Sequence, residues 1–125
     1  MKAATRDSWK TSPSKGEFVP ITYEDEFTPA EVNRIRLGVI PREMEDKWFI
    51  YFDEPTLFFH RSWTGYLIYK VELRVGTTGG ATVASAHVVQ ESEKYPREPG
   101  QAEKMLPCLI RCILLEQNYP FPPRL

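Results

Sequence analysis

The chain holds little of what the commonest chemistries require. It has two histidines and two cysteines among 125 residues, and no apolar run approaching the roughly eighteen residues of a membrane-spanning helix. Its opening, MKAATRDSWK, lacks the hydrophobic stretch of a secretory signal. Lys and Arg number 16 against 17 Asp and Glu, a formal net charge of −1, so no overall basic field exists to hold a phosphate backbone. These absences argue against a membrane or nucleic acid as partner and lead us to expect a soluble, cytoplasmic protein.

Metal and redox chemistry are equally short of residues. Cys108 and Cys112 are four apart within a predicted helix, which puts them on one face without the geometry of an ordinary disulfide. His60 and His87 lie in strand-like stretches with none of the spacing of a zinc motif. Neither a metal site nor a cofactor is expected. The turn GTTGG (76–80) lacks a following Lys-Ser or Lys-Thr and opens onto a strand rather than a helix, so it does not supply the mechanics of a phosphate loop.

What is present is an ordinary globular composition, 42% hydrophobic and 26% charged, in a chain long enough for one domain. The organisation reads as an extended arm over 1–20, a single α+β domain over 21–118 and an extended, proline-rich tail over 119–125. The stretch FTPAEVNRIRLG carries Thr28 as cap, Pro29 at the first helical position and Glu31 to complete a capping box, which predicts a short helix over 29–38. The acidic run YEDEF (23–27) just before it fits the positive end of that helix dipole. Aromatic and β-branched runs at 47–52, 56–62, 66–75 and ATVASAHVVQE predict four strands. Met105, Leu106, Leu109, Ile110, Ile113 and Leu114 recur at helical spacing and predict one long C-terminal helix, with Pro107 inside it or in its first turn. The expected fold is therefore a four-stranded antiparallel meander with the long C-terminal and short N-terminal helices on one face.

Function then turns on which sheet face the helices leave bare. A two-residue turn at Thr64 and Gly65 would pair Trp63 with Tyr66, and the turn DEPT would pair Phe52 with Leu57. That register gathers Phe49, Tyr51, Phe58, His60, Leu67, Tyr69, Val71 and Leu73 on the more apolar face, where the helices are expected. The opposite face holds Trp48, Ile50, Phe59, Arg61, Ile68, Lys70, Glu72 and Arg74, an apolar patch rimmed by charge with Arg61 over Trp48. A three-residue loop with a bulge at Gly65 competes with this turn and would exchange His60 and Arg61 between faces.

The leading expectation is a protein-interaction or homodimerisation domain working through Trp48, Phe59, Trp63, Ile68 and Lys70. The alternative is an enzyme or a binder of a small anion or nucleotide around His60, Arg61 and Ser62, with Arg61 as the anion contact. Ser62 could serve as a nucleophile with His60 as base, although no acidic third member is visible. A histidine in an aromatic strand is more often structural.

Overall fold

The computed structural model describes residues 3–12, 17–42, 46–90 and 99–115. Six strands form one antiparallel sheet: β1 (Glu17–Ile21), β2 (Glu26–Phe27), β3 (Trp48–Asp53), β4 (Thr56–Arg61), β5 (Leu67–Val75) and β6 (Ala81–Gln90). The lateral order is β1-β6-β5-β4-β3, with β2 also pairing to β6. The expected four-stranded meander is thus corrected to six strands. The additional pair comes from stretches too short or too irregular to read as strands. Pro20 in β1 cannot donate to a ladder, which confines it to an edge, and β1 pairs with β6 alone.

The first helix, α1 (Pro29–Leu37), starts where its cap dictates. The Thr28 Oγ1 accepts from the Glu31 N–H at 3.2 Å and the Glu31 carboxylate accepts from the Thr28 N–H at 2.9 Å. It ends at Gly38, whose φ of +67° suits glycine, and a Cβ there would lie 2.3 Å from the Ile50 carbonyl oxygen. Val39 then exchanges both backbone hydrogen bonds with Ile50, which closes part of the outer edge of β3.

The long C-terminal helix is also corrected. An α-helix, α2 (Pro99–Cys108), gives way to a π-helical continuation over Leu109–Leu114, ended by the Leu115 N–H donating to the Ile110 carbonyl at 2.8 Å. The wider turn shifts the phase of the apolar stripe. Leu106, Leu109, Ile110, Leu114 and Leu115 are buried, whereas Met105 is exposed and Ile113 only half-buried. The sequence beyond Leu115, including the predicted tail, lies outside the described residues.

On β3 and β4 the sheet presents to the helices the face opposite to the one expected, whereas Tyr69, Val71 and Leu73 of β5 face them as expected. Trp48, Ile50, Leu57, Phe59, Tyr69, Val71, Ala86 and Val88 share the main core with Val32 and Ile35 of α1 and with Leu106, Leu109 and Ile110. Phe52 does pair with Leu57, but Phe59 pairs with Tyr69 rather than Lys70, and a bulge follows between Phe59 and His60. The hairpin loop alone, four residues (Ser62–Gly65) between Arg61 and Tyr66 in place of a two-residue turn, shifts the pairing by two and keeps the faces; the bulge adds the single-residue shift that exchanges them. The shifted register brings Tyr69 and Val71 onto the face of Phe59 and Leu57 and so assembles one continuous core. Phe49, Tyr51 and the half-buried Phe58 form a separate cluster on the other face, closed by Ala4 of the N-terminal segment.

Candidate functional site at the hairpin tip

The β4–β5 hairpin ends in a loop held from three sides. The Gly65 N–H donates to the Arg61 carbonyl at 2.7 Å, and the φ of +79° at Gly65 allows the chain to turn back. On the β3 side, the Ser62 N–H donates to the Lys47 carbonyl at 2.9 Å and its hydroxyl donates to the Asp46 carbonyl at 2.6 Å. On the third side runs the N-terminal segment. The Trp9 indole N–H donates to the Ser62 carbonyl at 2.7 Å, and the Ser12 N–H donates to the Gly65 carbonyl at 2.8 Å. A side chain at residue 65 would press on this segment, because a Cβ would lie 3.1 Å from the Lys10 carbonyl oxygen.

This bracing fixes the backbone of the tip while leaving its largest side chain outside. Trp63 is 65% exposed, the most exposed large hydrophobe among the described residues, and Trp9 beside the loop is 37% exposed. Indoles in water on a rigid loop are unusual, since a tryptophan is normally largely buried.

The other candidate residues are placed quite differently. Trp48, Phe59 and Ile68 are buried in the main core, Phe59 completely, and so present no surface to a partner. Arg61 lies with its guanidinium carbon 5.2 Å from the centre of the Trp48 ring, the cation–π pair expected from the sequence. Lys70 instead reaches from β5 across β6 to sit 4.3 Å from the centre of the Phe18 ring on β1.

His60 is 4% exposed, stacked on Tyr51 with ring centres 5.7 Å apart and tilted against Phe49 at 5.9 Å. Its Nδ1 lies 2.7 Å from the Gly65 carbonyl, which can only accept, so Nδ1 carries the proton and Nε2 is an acceptor. That buried Nε2 has no hydrogen-bond partner. Burial lowers the pKa of the ring below its ordinary value, the Gly65 hydrogen bond opposes the shift, and Arg6 adds to it.

The Ser62–His60 dyad is not assembled, because the hydroxyl proton goes to Asp46 and Nδ1 is engaged by Gly65. His87 does not complete it: β5 separates β4 from β6, and His87 pairs with Lys70 while His60 pairs with Leu67. Among the described residues no group of three or more His, Cys, Asp and Glu could hold a metal ion. Cys108 and Cys112 are not joined in a disulfide, and burial raises the Cys108 pKa, reinforced by Cys112.

One cluster escapes sequence reading altogether. Arg111, in the π-helical stretch, donates from Nη2 and Nε to the Asp25 carboxylate at 2.5 and 3.2 Å and from Nη1 to the Glu31 carboxylate at 2.7 Å. Its guanidinium also lies over the Phe27 ring, and the Tyr23 hydroxyl donates to the same Asp25 at 2.7 Å. Burial works against the charge, but the hydrogen bond to Asp25 and the charges of Asp25 and Glu31 prevail and raise the Arg111 pKa. The acidic run before α1 is therefore a receptor for the C-terminal helix as well as a dipole partner. No helix among the described residues is long and apolar enough to cross a membrane. Comparison of the chain with protein-family models, curated proteins and solved structures finds no significant match.

Proposed function

We propose that the protein is a small interaction domain that associates with a second copy of itself through the tip of the β4–β5 hairpin. The observation that carries this reading is the exposure of Trp63 on a loop whose backbone is pinned by β3 and by the N-terminal segment. Tryptophans are enriched among the residues that dominate binding, and a pre-ordered loop has little conformational entropy left to lose.

The choice of a second copy rests on the pairing of Trp63 with Trp9. The Trp9 N–H is already occupied by Ser62, so its remaining exposed surface is apolar and suits another indole. A two-fold axis at the tip would lay each Trp63 against the partner's Trp9, an isologous contact of the commonest kind. A net charge of −1 sets up no long-range repulsion between copies.

The four indoles are already partly buried and can each bury less than the roughly 150–250 Å² of a whole aromatic side chain, which falls short of the surface in a stable complex, so the dimer is weak, with a dissociation constant on the order of 0.1 mM. Sedimentation velocity over a concentration series tests it. Wild type is expected to move from monomer to dimer, and Trp63→Ser to stay monomeric with an unchanged melting temperature. A wild type that remains monomeric at millimolar concentration overturns the proposal.

A further inference from the structure

His60 presents an arrangement the interaction reading does not use: a nearly fully buried imidazole, one nitrogen donating to Gly65 and the other an acceptor without a partner. Phe49 and Tyr51 of β3 stack against it, Leu67 faces it from β5, and the N-terminal segment brings Arg6 close enough to act on both the imidazole and Tyr51. Tyr51 is itself disfavoured as an anion, since burial raises its pKa. Among the described residues, the charged and titratable groups that act on the ring or on the Tyr51 stacked against it are the Arg6 cation, the neutral Tyr51 phenol and, on Tyr51, the Asp53 carboxylate farther along β3.

A proton added to this imidazole goes to Nε2. The result is a buried N–H donor with no acceptor, in an aromatic setting beside a guanidinium, and each of these factors opposes the charge. The strain can be relieved by moving whichever wall is held most weakly. The β3 and β5 walls belong to the sheet. The N-terminal wall consists mostly of exposed residues and is anchored by the buried Ala4 side chain, the Ala4 N–H to the Leu37 carbonyl, the Trp9 indole, and Ser12. Ser12 and His60 donate to the same Gly65 carbonyl, so the latch and the segment share one acceptor.

We propose that His60 is a proton-sensitive latch for residues 3–12: with the imidazole neutral the segment lies closed over the sheet, and protonation releases it. The direction follows from linkage. A histidine whose folded pKa is depressed contributes stability that is complete above the ordinary value near 6.5 and is lost as the pH falls below it. The open form takes up one proton, so the opening equilibrium rises by at most about tenfold per pH unit below that value. Release also removes Trp9 from the tip, yet opening can be measured on the monomer and does not depend on the dimer proposal.

Amide hydrogen exchange on the full chain at dilute concentration, from pH 7.5 to 5 and corrected for intrinsic rates, tests the latch. The expected result is loss of protection at Ala4, Ser12 and the Trp9 indole below pH 6.5, with protection at Val71 and Val88 retained. His60→Asn, whose amide can still donate to Gly65, is expected to remove the pH dependence. Arg6→Gln alters an exposed residue, and by removing one opposing charge while burial remains it is expected to weaken the dependence without abolishing it, in a protein that folds normally. Unchanged protection at Ala4 and Ser12 down to pH 5 overturns the proposal. So does simultaneous loss at Val71 and Val88, which would be global acid unfolding, or an equal pH response in the Arg6 and His60 variants.

Discussion

Replacing Arg111 with Met tests how the C-terminal helix is held. The side chain makes three charge-assisted hydrogen bonds to Asp25 and Glu31, and all three residues have side chains only 16–20% exposed. Such bonds contribute about 1.5–3 kcal/mol each when isolated, but they share one guanidinium and are not additive. Methionine keeps the stem and most of the packing on Phe27, so the loss is electrostatic: two carboxylates remain near each other, partly desolvated and without their cation. We expect a destabilisation of about 2–3 kcal/mol, below the roughly 3–5 kcal/mol for breaking a fully buried pair. At about 2.1 cal/mol/K per residue for the entropy of unfolding, this corresponds to a fall of about 8–12 °C in melting temperature. Thermal and urea unfolding monitored by circular dichroism would measure it. Arg111→Lys, which keeps the charge but loses the fork, should recover only part of the loss. A melting temperature for Arg111→Met within about 2 °C of wild type would refute the clasp.

Other consequences follow from the register and the caps. Phe59→Ala removes a fully buried ring and is expected to cost about 3–5 kcal/mol in urea unfolding, whereas Trp63→Ala should stay within about 0.5 kcal/mol. Equal effects of the two would contradict the face assignment. Gly38→Ala must place a Cβ against the Ile50 carbonyl and the Ala4 side chain at positive φ, and should lose about 2–4 kcal/mol and loosen the N-terminal segment; a neutral result by thermal unfolding would count against that packing. Thr28→Ala should cost about 1 kcal/mol, and a further Glu31→Gln change should then add little through the capping box.

The extent to which the sequence discloses this molecule varies with how local the cause is. The start of α1 is legible because cap, proline and capping-box glutamate lie within four residues of one another. The strands from β3 to β6 are legible for the same reason, through aromatic and β-branched runs bounded by turns. The matching of the β3–β4 faces to that of β5 is not, because it depends on the single-residue shift of a bulge between Phe59 and His60, which has no local signature strong enough to exclude a regular ladder. The apolarity of Tyr69 and Val71 could have argued for pairing them with Leu57 and Phe59, since that register unites the largest side chains. The Arg111 clasp joins residues from opposite ends of the chain, and a lone arginine in an apolar helix reads as a solvated charge. Of the candidate residues, Trp63 is the one whose exposure agrees with a contact role, while Trp48, Phe59 and Ile68 owe their hydrophobicity to the core.

The central claim is that the protein meets its partner copy through Trp63. The three tryptophans occupy three environments, buried for Trp48, partly exposed for Trp9 and largely exposed for Trp63, so 5-fluorotryptophan labelling should give three distinguishable fluorine resonances. The measurement is a dilution series followed by fluorine NMR, with each resonance assigned by a single substitution. The account predicts that the Trp63 signal shifts with concentration and loses its sensitivity to solvent deuteration, that Trp9 follows to a smaller extent, and that Trp48 stays fixed. A Trp63 signal that stays fixed up to millimolar concentration, or a Trp48 signal that moves in its place, would contradict it.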